Sequence, residues 1–163
     1  MQIERYAFEQ LKAWKASPHR KPLLLQGARQ IGKTWLMREF GKREFEYVAE
    51  LNFDETPELR DLFARTKDTK RLMSELALYV PVPIVPERTL LIFDEIQESE
   101  AALNSLKYFC ENAPEYAIIA AGSLLGVVVR KKSMTVPVGK VQTMSLYHDQ
   151  IGRAVQQECR DRS

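Results

Sequence analysis

The sequence predicts an α/β fold built on a mainly parallel sheet, and three observations carry that expectation. Short apolar runs alternate along the chain with stretches of helical periodicity. The runs Pro22-Leu23-Leu24-Leu25-Gln26 and Thr89-Leu90-Leu91-Ile92-Phe93 are apolar at consecutive rather than alternate positions, as in strands covered on both faces. Both lead directly into residues that carry chemistry, a glycine-bearing loop after the first and Asp94-Glu95 after the second, and ligands of open α/β sheets bind at the carboxyl ends of strands.

The elements follow in order. Ile3, Ala7, Leu11 and Trp14 recur at helical spacing before Ser17-Pro18, so an amphipathic helix is expected over residues 3–16, packed on the domain by its apolar stripe. The first strand is Pro22 to Gln26. Thr34 to Phe40 reads as a helix, with Gly41 placed to cap its end. Phe45 to Phe53, carrying Tyr47, Val48, Leu51 and Phe53, reads as a second strand, and helices are expected over Pro57 to Ala64 and Asp68 to Tyr79. Val80 to Pro86 holds three prolines that cannot donate to a ladder and should be an extended connector. Thr89 to Phe93 is the third strand, Ala101 to Asn112 a helix and Tyr116 to Ala121 the fourth strand. Val136 to Tyr147, with Val141, Thr143, Ser145 and Tyr147 alternating against Gln142, Met144 and Leu146, is the fifth.

Composition narrows the class. A chain of 163 residues, 45 % of them hydrophobic, is the size of one domain with a proper core. Its 24 Lys and Arg against 22 Asp and Glu leave a net charge of +2, too little for a global field that would hold nucleic acid or an anionic membrane. Cys110 and Cys159 lie far apart without Cys/His spacing, which argues against a disulfide framework and structural zinc and fits a reducing cytoplasm. The amino-terminal residues carry no apolar targeting segment, and no apolar run approaches the roughly 20 residues that span a bilayer, so no membrane partner is expected. No internal repeat or low-complexity segment is found.

The most informative stretch is Gly27-Ala28-Arg29-Gln30-Ile31-Gly32-Lys33-Thr34, a full match to GxxxxGK[ST]. Its glycines allow a tight turn in which successive N–H groups and a helix N-terminus face an anion. Lys33 would place a point charge on β and γ phosphates, and the Thr34 hydroxyl would ligate Mg²⁺. Such a match arises by chance in about half a percent of chains this long. Its position after a strand and before a helix argues further against an ordinary strand-to-helix turn with an incidental lysine. Leu90 to Glu95 then delivers two carboxylates beside the loop: Asp94 to orient Mg²⁺ through water, and Glu95 to accept a proton from the attacking water. The bland alternative is an Asp-Glu pair that caps the next helix.

Together, Gly27 to Thr34 and Phe93-Asp94-Glu95-Ile96-Gln97 resemble the P-loop ATPases of the AAA+ superfamily, more narrowly the prokaryotic AAA-domain ATPases with a GARQxGKT phosphate loop and a DEIQ strand end. The resemblance covers about residues 3–147. It implies a P-loop NTPase three-layer sandwich with a five-stranded sheet in the order 5-1-4-3-2, and an ATP-binding domain over residues 1–147. It implies a Mg²⁺-dependent ATPase, with ATP and Mg²⁺ as cofactors and Glu95, Lys33 and Ser123 as catalytic residues. Ser123, at the end of the fourth strand, matches the polar residue that contacts the γ-phosphate or water, although a serine there can also simply cap a turn. Gly27, Ala28, Arg29, Gln30, Ile31, Gly32, Lys33, Thr34 and Trp35 are expected along the nucleotide, with Thr34 and Asp94 on the metal. A homo-oligomer and a DNA or protein partner are further implications. A nucleotide-binding module with little hydrolysis of its own is the alternative.

Residues 148–163 depart from the family pattern, and a divergent, disordered tail is expected after the ATPase core. Arg130, before Lys131 and Lys132, is the nearest candidate for an arginine finger and the same cluster the nearest nucleic-acid patch; a solvated basic turn is the competing reading. Trp14 and Trp35 are expected to pack in the core or on a helix. His19 and His148 lack the context of a nucleophile.

Overall fold

The computed structural model describes residues 2–27, 32–122, 137 and 139–146. The expectations for Ala28, Arg29, Gln30, Ile31, Ser123, the Arg130 cluster and the tail therefore lie outside the described residues.

Helix α1 (Gln2–Ala16) precedes β1 (Leu23–Gly27), α2 (Lys33–Glu44) and β2 (Tyr47–Asn52). Helices α3 (Glu58–Arg65) and α4 (Thr69–Leu76) follow, then β3 (Thr89–Asp94) and a single 3₁₀ turn at Ile96–Glu98. Helix α5 (Glu100–Asn112), β4 (Ala117–Gly122) and β5 (Gln142–Leu146) complete the described chain. The five strands form one sheet in the order β2-β3-β4-β1-β5, and every neighbouring pair is parallel. Read from the other edge this is 5-1-4-3-2, the order that the resemblance implies.

The period of two along each strand explains the three layers. Leu24, Leu91, Phe93, Ile118 and Ala120 face one side and pack with α3, α4 and α5 through Leu62, Leu72, Leu106 and Phe109. Leu23, Leu25, Leu90, Ile92, Ile119 and Ala121 face the other and pack with α1 and α2 through Leu11, Trp14, Met37 and Phe40. Both sides being covered, all six residues of β3 and of β4 are buried, while the edge strands β2 and β5 are only partly so. Phe93 is the hub of its face: Phe53, Phe63 and Phe109 surround it edge-on with ring centroids 5.8, 5.7 and 6.0 Å away. The residue after this hub is Asp94, so the carboxylate leaves a backbone fixed by close packing.

Several expectations are corrected. Gly41 does not end α2, which runs on to Glu44 with Phe45 as its C-cap. Gly41 is instead the point where α2 touches the sheet, because a Cβ there would lie 2.6 Å from Val48 Cγ2 and 3.1 Å from Leu90 Cδ2. Helix α4 stops at Leu76 rather than Tyr79: its buried stripe of Leu72, Met73 and Leu76 is complete there, and Leu78 and Tyr79 point outward ahead of Pro81. The connector carries no strand, as its prolines require, yet Val80, Val82 and Ile84 pack against the core beside α4. Trp14 is buried and donates its indole N–H to the Lys21 carbonyl at 2.7 Å. Trp35 is 48 % exposed, against the packing expectation. Among the described residues no helix is long and apolar enough to cross a membrane.

If Gly41 serves close packing, Gly41→Leu should destabilise the fold by about 1–3 kcal/mol through overpacking, despite the better helix propensity of leucine. The melting temperature should fall by about 2–4 °C for each kcal/mol at this size. A melt unchanged or raised would contradict the close-packing role.

Candidate functional site

The site lies at the carboxyl ends of three adjacent strands. Gly27 closes β1, Gly122 closes β4 and Asp94 closes β3. Gly32 is the N-cap of α2, in the left-handed region at φ 76°, a conformation that glycine adopts without strain. Among the described residues no side chain caps α2 and no acidic residue lies in its first turn, so the amides that every helix start leaves without intrahelical partners are uncapped by these residues.

Lys33, the first residue of α2, turns inward and is only 6 % exposed. Its ammonium donates to the carbonyl of Gly27 at 2.7 Å and to that of Gly122 at 2.9 Å, joining the ends of β1 and β4. Burial pulls its pKa below the usual lysine value, and the nearby Glu95 and Asp94 carboxylates oppose that shift. Thr34 donates its hydroxyl to Asp94 Oδ2 at 2.8 Å. The Glu95 backbone N–H donates to Asp94 Oδ1 at 2.9 Å, so both carboxylate oxygens are engaged. Burial nevertheless holds the Asp94 pKa above the usual carboxylate range, outweighing the bonds from Thr34 and the Glu95 backbone; repulsion from Glu95 and Glu50 adds to the rise.

Glu95 sits in the left-handed region at φ 54°, uncommon for a residue with a side chain. It is the N-cap position of the 3₁₀ turn but its side chain makes no capping bond there, and α5 is capped by Ser99, whose hydroxyl accepts from Ala102 N–H at 3.0 Å. The capping alternative for the Asp-Glu pair is thereby displaced. The Glu95 carboxylate instead accepts from Gln97 Nε2 at 2.7 Å.

Of the residues singled out from sequence, Gly27, Gly32, Lys33, Thr34, Asp94 and Glu95 are brought into one neighbourhood. Trp35 lies beside them in the chain but faces outward. Two participants carry no assigned role in the sequence reading. Gln97 belongs to the quoted strand-end motif, and Gly122 precedes Ser123, yet neither residue type by itself announces a function.

The sheet order and the loop-to-helix placement define a P-loop NTPase fold. A family described as an AAA domain matches residues 19–151, most of the chain, and the chain belongs to that family. Among solved structures, the Walker-type ATPase of Pyrococcus abyssi is similar at 18 % identity and a TM-score of 0.51, covering 90 % of this chain and 52 % of that one. The ORC1 protein of Aeropyrum pernix, solved in complex with DNA, is similar at 18 % identity and a TM-score of 0.51, covering 99 % of this chain and 49 % of that one. The chain thus spans about half the length of these two structures. No curated protein matches it.

The raised Asp94 pKa has a measurable consequence. An acid whose folded pKa lies above its unfolded value favours folding when protonated, and that contribution is lost as the pH rises through the folded value. Asp94→Asn removes the buried charge, so thermal melts should show it more stable than the parent at neutral pH. The gap should narrow as the pH falls toward about 4, where the unfolded carboxyl also protonates. A variant less stable than the parent at neutral pH would contradict the burial argument.

Proposed function

We propose that this chain binds ATP at the loop 27–34 and hydrolyses its terminal phosphoanhydride with Mg²⁺. The observation that carries the reading is the convergence of a buried ammonium, a hydroxyl–carboxylate pair and a second carboxylate at the carboxyl ends of β1, β3 and β4. Membership of the AAA domain family supports it.

Each group has a task that follows from its chemistry. Lys33 now bonds to two neutral carbonyls, and phosphate oxygens would replace them with stronger charge-assisted bonds. The uncapped amides of α2 would add donors from the backbone. Thr34 and Asp94 fit a magnesium ion: both offer hard oxygen atoms, they already touch, and a buried carboxylate with a raised pKa gains from a cation beside it. When bound, Mg²⁺ would neutralise charge on the β and γ phosphates. Glu95 would take the proton of the attacking water as its oxygen bonds to the γ phosphorus. The bond to the bridging oxygen then breaks, leaving ADP and inorganic phosphate.

Thermal unfolding with and without Mg·ATP tests binding. Ligand at 100 times its dissociation constant should add about 2.7 kcal/mol to the parent, a rise of several degrees. Lys33→Ala should show no rise. Glu95→Gln should keep the rise while phosphate release falls by about a hundredfold or more. A cooperative parent melt that ATP does not shift would overturn binding, and equal phosphate release from Glu95→Gln would overturn its role as the base.

A further inference from the structure

Gln97 stands between two parts of the site, Glu95 and Gly122, that are 27 residues apart in sequence. It lies in the 3₁₀ turn directly after Glu95, a turn seated by the fully buried Ile96. One end of its carboxamide, Nε2, donates to Glu95 Oε2 at 2.7 Å. The other end, Oε1, is buried against Gly122 and has no hydrogen-bond partner among the described residues. A Cβ on Gly122 would lie 2.1 Å from that oxygen and 3.2 Å from Gln97 Cδ. The carboxamide therefore occupies the space that any side chain at residue 122 would need.

Chemistry fixes which way the amide points. A carboxylate only accepts hydrogen bonds, so the NH₂ group must face Glu95 and the carbonyl oxygen must face Gly122. A buried acceptor without a partner works against folding, and an unbranched apolar side chain of similar length would avoid it. What glutamine adds over such a side chain is the donor to Glu95. Glu95 needs an orienting contact: its backbone is in the left-handed region, and its carboxylate is aimed by side-chain torsions that nothing covalent restrains.

We propose that Gln97 is a positioning residue for the Glu95 carboxylate, and that Gly122 is glycine so that the Gln97 amide can reach it. The proposal rests on the reading of Glu95 as the base. It also makes Gly122 a shared point of the site, since its carbonyl accepts from Lys33 while its Cα face receives Gln97. The ammonium that would hold phosphate and the carboxylate that would take the proton are thus set from the same residue at the end of β4.

The test compares steady-state phosphate release for the parent, Glu95→Gln, Gln97→Met, Gln97→Glu and Gly122→Ala, with Mg·ATP thermal shifts as the measure of binding. Gln97→Met keeps the length without the donor, and Gln97→Glu keeps the shape with a group that repels Glu95. Both should lower kcat between about ten- and a hundredfold, the loss expected when a reacting group is misplaced, while KM and the thermal shift stay within about twofold of the parent. Gly122→Ala should lose kcat to the same degree with a modest change in melting, because the methyl meets the movable end of a side chain rather than backbone. Combining Gly122→Ala with Gln97→Met should add no further loss, since both act through one hydrogen bond. Full kcat in Gln97→Met beside an inactive Glu95→Gln would overturn the proposal, as would losses that multiply in the double variant. Loss of kcat and thermal shift in step with loss of folded protein would mean a purely structural glutamine. Full turnover in Glu95→Gln would remove the base reading itself, and the role of Gln97 with it.

Discussion

The Lys33 ammonium, withdrawn from water between the last residues of β1 and β4, is the constraint on which the rest of the site is built. A charge that is 6 % exposed must be compensated, and the two carbonyls at 2.7 and 2.9 Å do so by closing the gap between neighbouring strands. The carboxylates of Asp94 and Glu95 complete the balance at longer range. Two charges of opposite sign are thus kept buried at the carboxyl ends of the central strands, Asp94 held above its usual pKa and Lys33 below it. That is an unfavourable arrangement for folding alone, and a polyanion with its cation is the kind of ligand that would relieve it.

The sheet supplies the rigidity that this arrangement needs. Leu24 and Leu91 face one helical layer while Leu23, Leu25, Leu90 and Ile92 face the other, so β1 and β3 are clamped from both sides. Phe93 anchors the end of β3 among three other phenyl rings one residue before Asp94. On the opposite face the α1 residues Phe8 and Trp14 pack on Phe40 of α2, holding the helix that carries Lys33 and Thr34. Gly41 lets the same helix lie close to β2. The atoms of the candidate site are displayed at the margin of two cores rather than on independent loops.

The strands at residues 23–25, 90–93 and 117–121 were legible from sequence because burial on both faces leaves an uninterrupted apolar run. Lys33, Thr34, Asp94 and Glu95 were legible because their spacing is local and their residue types are demanding. Strand order came from family resemblance, since periodicity says nothing about neighbours. At Gly41 sequence alone misleads, because a glycine that ends a helix and one that admits a neighbouring Val48 look alike until the layers are assembled. Trp35 misleads for a related reason: residue type favours burial, but its place on α2 leaves it 48 % exposed. Gln97 had no local signal, because the feature that gives it meaning is the missing side chain of Gly122 on another strand.

The central claim is that the carbonyls of Gly27 and Gly122 hold Lys33 in readiness for phosphate. The most direct measurement is a structure determined with Mg²⁺ and a non-hydrolysable ATP analogue. The account predicts that Lys33 Nζ moves to within about 3 Å of β- and γ-phosphate oxygens, the range of a charge-assisted hydrogen bond, with the Thr34 hydroxyl turned from Asp94 to the metal. A bound analogue with Lys33 still on both carbonyls and Thr34 still on Asp94 would contradict it.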